Sequence, residues 1–331
     1  MPKLVLLLIT FLLSIGSFIF IERPLRYGRS SDRKVVLLVT VTVAIGLIGA
    51  LLWSTNGLPN RPGLDGGETA QFAAWPYMQN QTCLDRYPNE KAASYEWWFC
   101  ETNKDQDPTL ILLGNSYANQ LYPGLVKRHE FAVETILSIG DCAVQRQLDL
   151  APPNPCAGSS WDDQTKFVRT IIARNPSITR VIIAGLQWDA SDNQLNDLRE
   201  ELHFLEQENR TTIVFYPHVE PPFHIHECLA RPIIRARSNC HVSAEFRSQL
   251  YRKFQPTIDL VNREFPNVKL FDINQAYCDT LGCDFLSDGI PILRDEASHL
   301  SLHASDLVAQ KFVQWVNTNY PTRAGITTSR R

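Results

Sequence analysis

The chain carries no strong charge of either sign. Its 32 Lys and Arg nearly balance 35 Asp and Glu, for a formal net charge of −3, and no basic stripe stands outside one short loop. Recognition of a phosphate backbone normally shows as a basic domain or face, so no nucleic-acid partner is expected. There is no Cys-x-x-Cys pair, which removes the most familiar zinc spacing. No internal repeat occurs, which sets aside solenoids and propellers, and there is no low-complexity tract. What remains is 331 residues with 44% apolar content, enough for one large core or two smaller ones.

The apolar residues are unevenly spread. Leu4 to Ile21 is an uncharged run of 18 residues and Val35 to Trp53 one of 19, each long enough to cross a bilayer as a helix. Between them, Arg23, Arg26, Arg29, Arg33 and Lys34 face only Glu22 and Asp32. Short basic loops stay on the cytoplasmic side, which sends the large C-terminal part outward. The first run also has the Lys3-led start of a signal peptide, but no small-residue cleavage site follows it. The expected division is two transmembrane helices over 1–56, a Gly- and Pro-rich linker over 57–68, a soluble domain over 69–320 and a tail over 321–331. The expected location is the inner membrane, with the domain in the periplasm or outside the cell.

All eight cysteines lie beyond the second run, as suits an oxidising compartment. They fall into near neighbours, Cys83 with Cys100, Cys142 with Cys156, Cys228 with Cys240 and Cys278 with Cys283. Four local disulfides are the simplest pairing, although sequence alone does not choose the connectivity.

From Thr109 onward, apolar runs at Thr109 to Leu113, Val133 to Leu137, Val181 to Ala184, Thr212 to Tyr216 and Val268 to Phe271 read as buried strands. They alternate with helical patterns at Trp161 to Arg174, Ser191 to Glu208, Ala244 to Phe265 and Leu302 to Val316. That alternation predicts a parallel sheet covered on both faces, with ligands at the carboxyl ends of the strands.

At the first such end stand Gly114-Asn115-Ser116-Tyr117. A serine at a strand-to-helix turn is placed to be a nucleophile, or simply to cap the helix. Near the other end, Asp295-Glu296-Ala297-Ser298-His299 supplies what a serine nucleophile needs, a histidine base and a carboxylate to fix its tautomer. His299 and His303 also have the spacing of a metal pair, and His224, His226 and Cys228 form a second candidate group. The first pair has no obvious third ligand, and in the second Cys228 has a disulfide candidate in Cys240 and the residues fall in a loop, so no metal is expected.

Together these segments resemble the SGNH hydrolase/acyltransferase superfamily. The match is to its first block after the first strand and its last block before the final helix. More narrowly, the chain is similar to the outward-facing SGNH domain fused to the acyltransferase-3 membrane domain of bacterial O-acyltransferases. Ile21 to Arg26 looks like the end of the last acyltransferase-3 helix, Val219 to Cys228 like the loop after the fourth strand, and Cys278 to Ser301 is the most specific stretch.

The resemblance implies a flavodoxin-like, three-layer α/β/α domain with a parallel sheet. It implies a triad of Ser116, His299 and an acid. Spacing favours Glu296 for the acid, while Asp295 serves if the loop carries an extra residue. The oxyanion hole would use the amides of Ser116 and Gly140, with Gln187 standing where the family has an asparagine and Trp188 beside it.

Asn115 and Tyr117 stand where the first block usually has Asp and often His, and restoring Asp at 115 is expected to preserve the fold and leave activity equal or higher. The implied activity is O-acyl transfer, of acetyl in the first instance, to a cell-envelope glycan such as a lipopolysaccharide. No cofactor is bound directly, and acyl-CoA is an indirect donor reached through a separate acyltransferase-3 membrane partner. An esterase using the same residues, and a glycan-binding domain that has lost activity, are the alternatives.

Overall fold

The structure is a computed structural model that describes residues 2–23, 32–54, 78–95, 98–143, 154–157, 160–229, 237 and 239–320. The 57–68 linker, the expected domain start at Thr69, most of the basic loop and the 321–331 tail lie outside them. The chain divides into two compact units, Met1–Gly66 and Gly67–Arg331.

In the first unit a helix spans Pro2–Ser17 and passes into a π-helical turn at Phe18–Glu22, and a second helix spans Asp32–Ser54. Among the described residues only one helix, Val35–Ser54, is long and apolar enough to cross a membrane, with mean hydropathy 2.8. Its apolar side chains are exposed, Trp53 to 86%, an arrangement that water disfavours and hydrocarbon does not. The expectation of two spans therefore meets one qualifying helix. The apolar part of the first, Thr10–Phe20, is shorter than a span.

The second unit is built on a six-stranded sheet of β1 (Cys100–Thr102), β2 (Leu110–Gly114), β3 (Ile136–Gly140), β4 (Arg180–Ala184), β5 (Thr211–Phe215) and β7 (Lys269–Phe271). β6 (His241–Ser243) pairs with β8 (Gly282–Asp284), and β9 (Leu286–Ser287) with β10 (Ile290–Pro291), in two small ribbons. The order in the main sheet is β1-β3-β2-β4-β5-β7. β3, β2, β4, β5 and β7 run parallel. Numbered among themselves, these five have the flavodoxin-like order, whose switch point flanks the first parallel strand.

The sheet is mixed rather than wholly parallel, because β1 runs antiparallel to β3, Cys100 opposite Ile139 and Thr102 opposite Leu137. Its sequence, Cys-Glu-Thr, has no apolar alternation to announce a strand. The Cys83–Cys100 disulfide ties it to the helix Gln81–Arg86.

Alternation along the strands builds the three layers. Leu110, Leu112, Ile182, Ile213, Phe215 and Phe271 face one core, shared with Val308, Ala309 and Phe312 of the helix Leu302–Asn319. Ile111, Leu113, Val181, Ile183 and Val214 face the other. There they meet Val168 and Ile172 of the helix Ser160–Arg174, Leu198 and Leu202 of Asp192–Gln207, and Leu260 and Val261 of Ala244–Glu264.

The eight cysteines form four disulfides between chain neighbours, Cys83–Cys100, Cys142–Cys156, Cys228–Cys240 and Cys278–Cys283. The last helix is held against the short helix Tyr122–Lys127, where the Gly124 amide donates to Ser305 Oγ at 3.0 Å. A Cβ at Gly124 would lie 2.1 Å from the Ser305 carbonyl oxygen. The two ends of the domain that carry chemistry are thereby drawn together.

Candidate active site

The site begins where β2 stops. Gly114 has φ +142°, and a Cβ there would lie 2.0 Å from the Ala184 carbonyl oxygen, so the turn out of β2 against β4 requires glycine. Asn115 follows as the N-cap of the helix Ser116–Asn119. Its Oδ1 accepts from the Tyr117 amide at 2.8 Å, and its Nδ2 donates to the Gly185 carbonyl at 3.0 Å. The cap is thus Asn115, which frees the Ser116 hydroxyl from the capping role that was its alternative.

The Ser116 hydroxyl instead meets the histidine. His299 Nε2 lies 2.8 Å from Ser116 Oγ, and His299 Nδ1 lies 2.8 Å from Asp295 Oδ2. Asp295 Oδ1 also accepts from the His299 backbone amide at 3.0 Å. A carboxylate only accepts, so Nδ1 carries the proton and donates to Asp295, leaving the Nε2 lone pair for the serine proton. Burial raises the Asp295 pKa, but the hydrogen bonds from His299 and the charges of His299 and Arg294 outweigh it and hold the carboxyl below its ordinary value. Asp295 is ionised at neutral pH as the arrangement requires.

Three side chains from distant segments hold the turn that carries this pair. Tyr117 Oη donates to the Ala297 carbonyl at 2.8 Å. His218 Nε2 lies 2.6 Å from the Ser298 carbonyl, and the Leu300 amide donates to Gln120 Oε1 at 2.6 Å. The Tyr117 ring sits between two imidazoles, its centroid 4.9 Å from that of His218 and 4.9 Å from that of His299. Burial pushes His218 down to about 4 and the Tyr117 hydroxyl up to about 12. Both stay neutral, as donors to carbonyls.

A cavity of about 300 Å³ is lined by Asn115 and Tyr117, the chain neighbours of the serine, and by Gln187, Trp188, His218 and Glu220 among others. Trp188 is fixed in its wall by donating Nε1 to the His218 carbonyl at 3.1 Å.

A family model of the SGNH domain fused to AT3 domains matches residues 82–314. The chain belongs to that family. No curated protein matches the chain. Among solved structures it is similar to the periplasmic domain of a Salmonella ser. Paratyphi A lipopolysaccharide acetyltransferase, at 14% identity and TM-score 0.48, covering 64% of this chain and 85% of that one. It is also similar to a Bacteroides fragilis NCTC 9343 protein assigned as an acylhydrolase, at 12% identity and TM-score 0.33, covering 72% of this chain and 98% of that one.

Within this SGNH domain two expected assignments change. Asp295, not Glu296, faces His299, and Glu296 is exposed. The reason is the turn. Leu293 bridges Leu300, the Arg294 amide donates to the His299 carbonyl at 2.8 Å, and Ser298 takes up the extra residue with φ 62°.

The Gly140 amide, expected in the oxyanion hole, donates to the Phe99 carbonyl at 3.0 Å in the pairing of β1 with β3. Ser116 opens its helix, so its amide has no intrahelical acceptor, and Gln187 borders the cavity. Of the two metal readings, Cys228 is in a disulfide and His299 is engaged by Ser116 and Asp295. No group of three or more His, Cys, Asp or Glu is placed to hold a metal among the described residues.

His218 and Gln120 escaped the sequence reading. The position of His218 three residues beyond the end of β5 is the signal that could have found it.

The acid is testable directly. Asp295→Asn should cut turnover by on the order of 10³-fold or more, while Glu296→Gln stays within about threefold of the unaltered protein, because only Asp295 fixes the imidazole tautomer. A larger loss at Glu296 would contradict the assignment.

The geometry also revises the expectation for Asn115→Asp. Asn115 is 3% exposed, and an ionised carboxylate there cannot donate to the Gly185 carbonyl, whereas a protonated one can. The folded state therefore raises the carboxyl pKa. Stability is full below about pH 4, the unfolded value, and falls as pH rises through the folded one. Thermal unfolding across pH should show the variant's Tm deficit growing from acid to neutral pH, and a deficit independent of pH would contradict the hydrogen-bond assignment.

Proposed function

We propose that the chain is an O-acyltransferase that modifies hydroxyls of a cell-envelope glycan, such as a lipopolysaccharide, through an acyl-enzyme on Ser116. The observation that carries this reading is the run of contacts from Ser116 through His299 to Asp295, each 2.8 Å long, at the carboxyl edge of the sheet.

In the first half-reaction His299 takes the serine proton as Oγ attacks the acyl donor, and it returns that proton to the leaving group. In the second His299 takes the proton of the acceptor hydroxyl as its oxygen attacks the acyl-enzyme carbonyl, the bond to Ser116 Oγ breaks, and the proton returns to Oγ. Asp295 keeps the imidazole oriented and stabilises its cationic form in both halves. The Ser116 amide and Gln187 are the donors available to the developing oxyanion, each worth about 3 kcal/mol where preorganised.

The fusion of the family's SGNH domains to AT3 domains supports transfer over hydrolysis, with a separate membrane domain relaying acyl groups from acyl-CoA. An esterase would use the same residues with water as acceptor. The complete serine–histidine–aspartate arrangement speaks against a domain that has lost its chemistry.

We place the catalytic domain outside the cytoplasm, on a two-span anchor whose basic loop lies inside. Four disulfides support the compartment, and the apolar helix Val35–Ser54 supports the anchor.

Ser116→Ala tests the reading. The variant should unfold within about 1 kcal/mol of the unaltered protein, since Asn115 holds the cap, yet lose turnover on acyl esters by on the order of 10³-fold or more. A folded Ser116→Ala protein that retains transfer or hydrolysis would end it.

A further inference from the structure

The cavity lined by Asn115 and Tyr117, on either side of Ser116 in the chain, has a chemistry of its own. Its lining includes the aromatic residues Trp188 and Tyr216, the amide residue Gln187 and the acidic residues Asp189 and Glu220, and no Lys or Arg among the described residues. Asp189 is answered from outside by Lys253, 3.5 Å away. Glu220 has one charged group acting on it among the described residues, His299. Its backbone is held in place, because the preceding Val219 amide donates to Asn274 Oδ1 at 2.7 Å. Glu220 is exposed to solvent, and desolvation of its carboxyl, only partly offset by the charge of His299, holds its pKa above the ordinary value.

A mixed polar and aromatic lining is not a slot for a long acyl chain, which would want a dry apolar wall. It suits a polyhydroxylated ring. Aromatic faces cover the C–H surface of a pyranose, and a carboxylate accepts from neighbouring hydroxyls in charge-assisted bonds. An acidic sugar would set its own carboxylate against Glu220, with no Lys or Arg among the described lining residues to offset it.

We propose that this cavity is the acceptor subsite and that it selects an uncharged pyranose over an acidic one, with Glu220 accepting hydrogen bonds from hydroxyls next to the one acylated. The inference rests on the acyl-enzyme reading above. In the step it serves, the acceptor oxygen bonds to the acyl carbonyl carbon and His299 Nε2 takes the acceptor's proton. The bond from that carbon to Ser116 Oγ breaks, and the proton passes to Oγ. Nothing is oxidised or reduced, and the serine is regenerated.

The test is binding, measured calorimetrically on the full chain and its Glu220→Gln variant with a panel of uncharged methyl hexosides and the matching methyl uronates. The unaltered protein should bind the best hexoside at least about tenfold more tightly than its uronate, and Glu220→Gln should shrink that ratio to about threefold or less. Equal binding of the two classes, an unchanged ratio in the variant, or no hexoside bound would each overturn the subsite. Acylation of Ser116 by p-nitrophenyl acetate, followed on the unaltered protein, reports separately. Its absence contradicts the acyl-enzyme reading, whereas the binding ratios bear on the subsite alone.

Discussion

The site depends on one hydrogen bond joining residues 183 positions apart, His299 Nε2 to Ser116 Oγ. Neither residue is unusual alone, and a serine hydroxyl without a base is a poor nucleophile. The fold supplies the meeting. The first parallel strand delivers Ser116 to the carboxyl edge at the switch point, and the last loop before the last helix delivers His299 from the other end of the domain. Packing of that helix on Tyr122–Lys127, close enough that Gly124 admits no Cβ, brings the two deliveries within bonding distance.

Once they meet, the orientation of the imidazole is held by more than its acid. Tyr117, Gln120 and His218 bond to the backbone of residues 297, 300 and 298, so the turn carrying Asp295 and His299 is pinned by the segments that follow β2 and β5. Such preorganisation avoids reorganisation when charge develops on the histidine. Tyr117, where the family often has histidine, acts here as a strut, its ring against two imidazoles and its hydroxyl on a carbonyl.

Much of this was legible in the sequence because it is local or periodic. Apolar runs marked the five parallel strands to within a few residues, and the strand-end rule led to Ser116. The serine and histidine segments then stood out by their chemistry. What escaped was long-range.

The edge strand β1 is three residues of unremarkable composition, and missing it led directly to misjudging Gly140, whose amide is taken by Phe99 in that same pairing. The choice between Glu296 and Asp295 hung on the left-handed Ser298, a backbone state that a serine does not announce. Asn115 was read as a departure from the family's usual aspartate. Its buried donation to Gly185 shows a residue for which the amide is the better fit.

The central claim is that Ser116 becomes a covalent carrier of the acyl group. The most direct measurement is peptide mass spectrometry of the full chain quenched shortly after mixing with an acyl ester in the absence of acceptor. The acyl mass is predicted on the peptide containing Ser116, disappearing on addition of an acceptor sugar whose hydroxyl gains it. Acyl transfer that proceeds with Ser116 never modified, or with the group on another residue, would contradict the account.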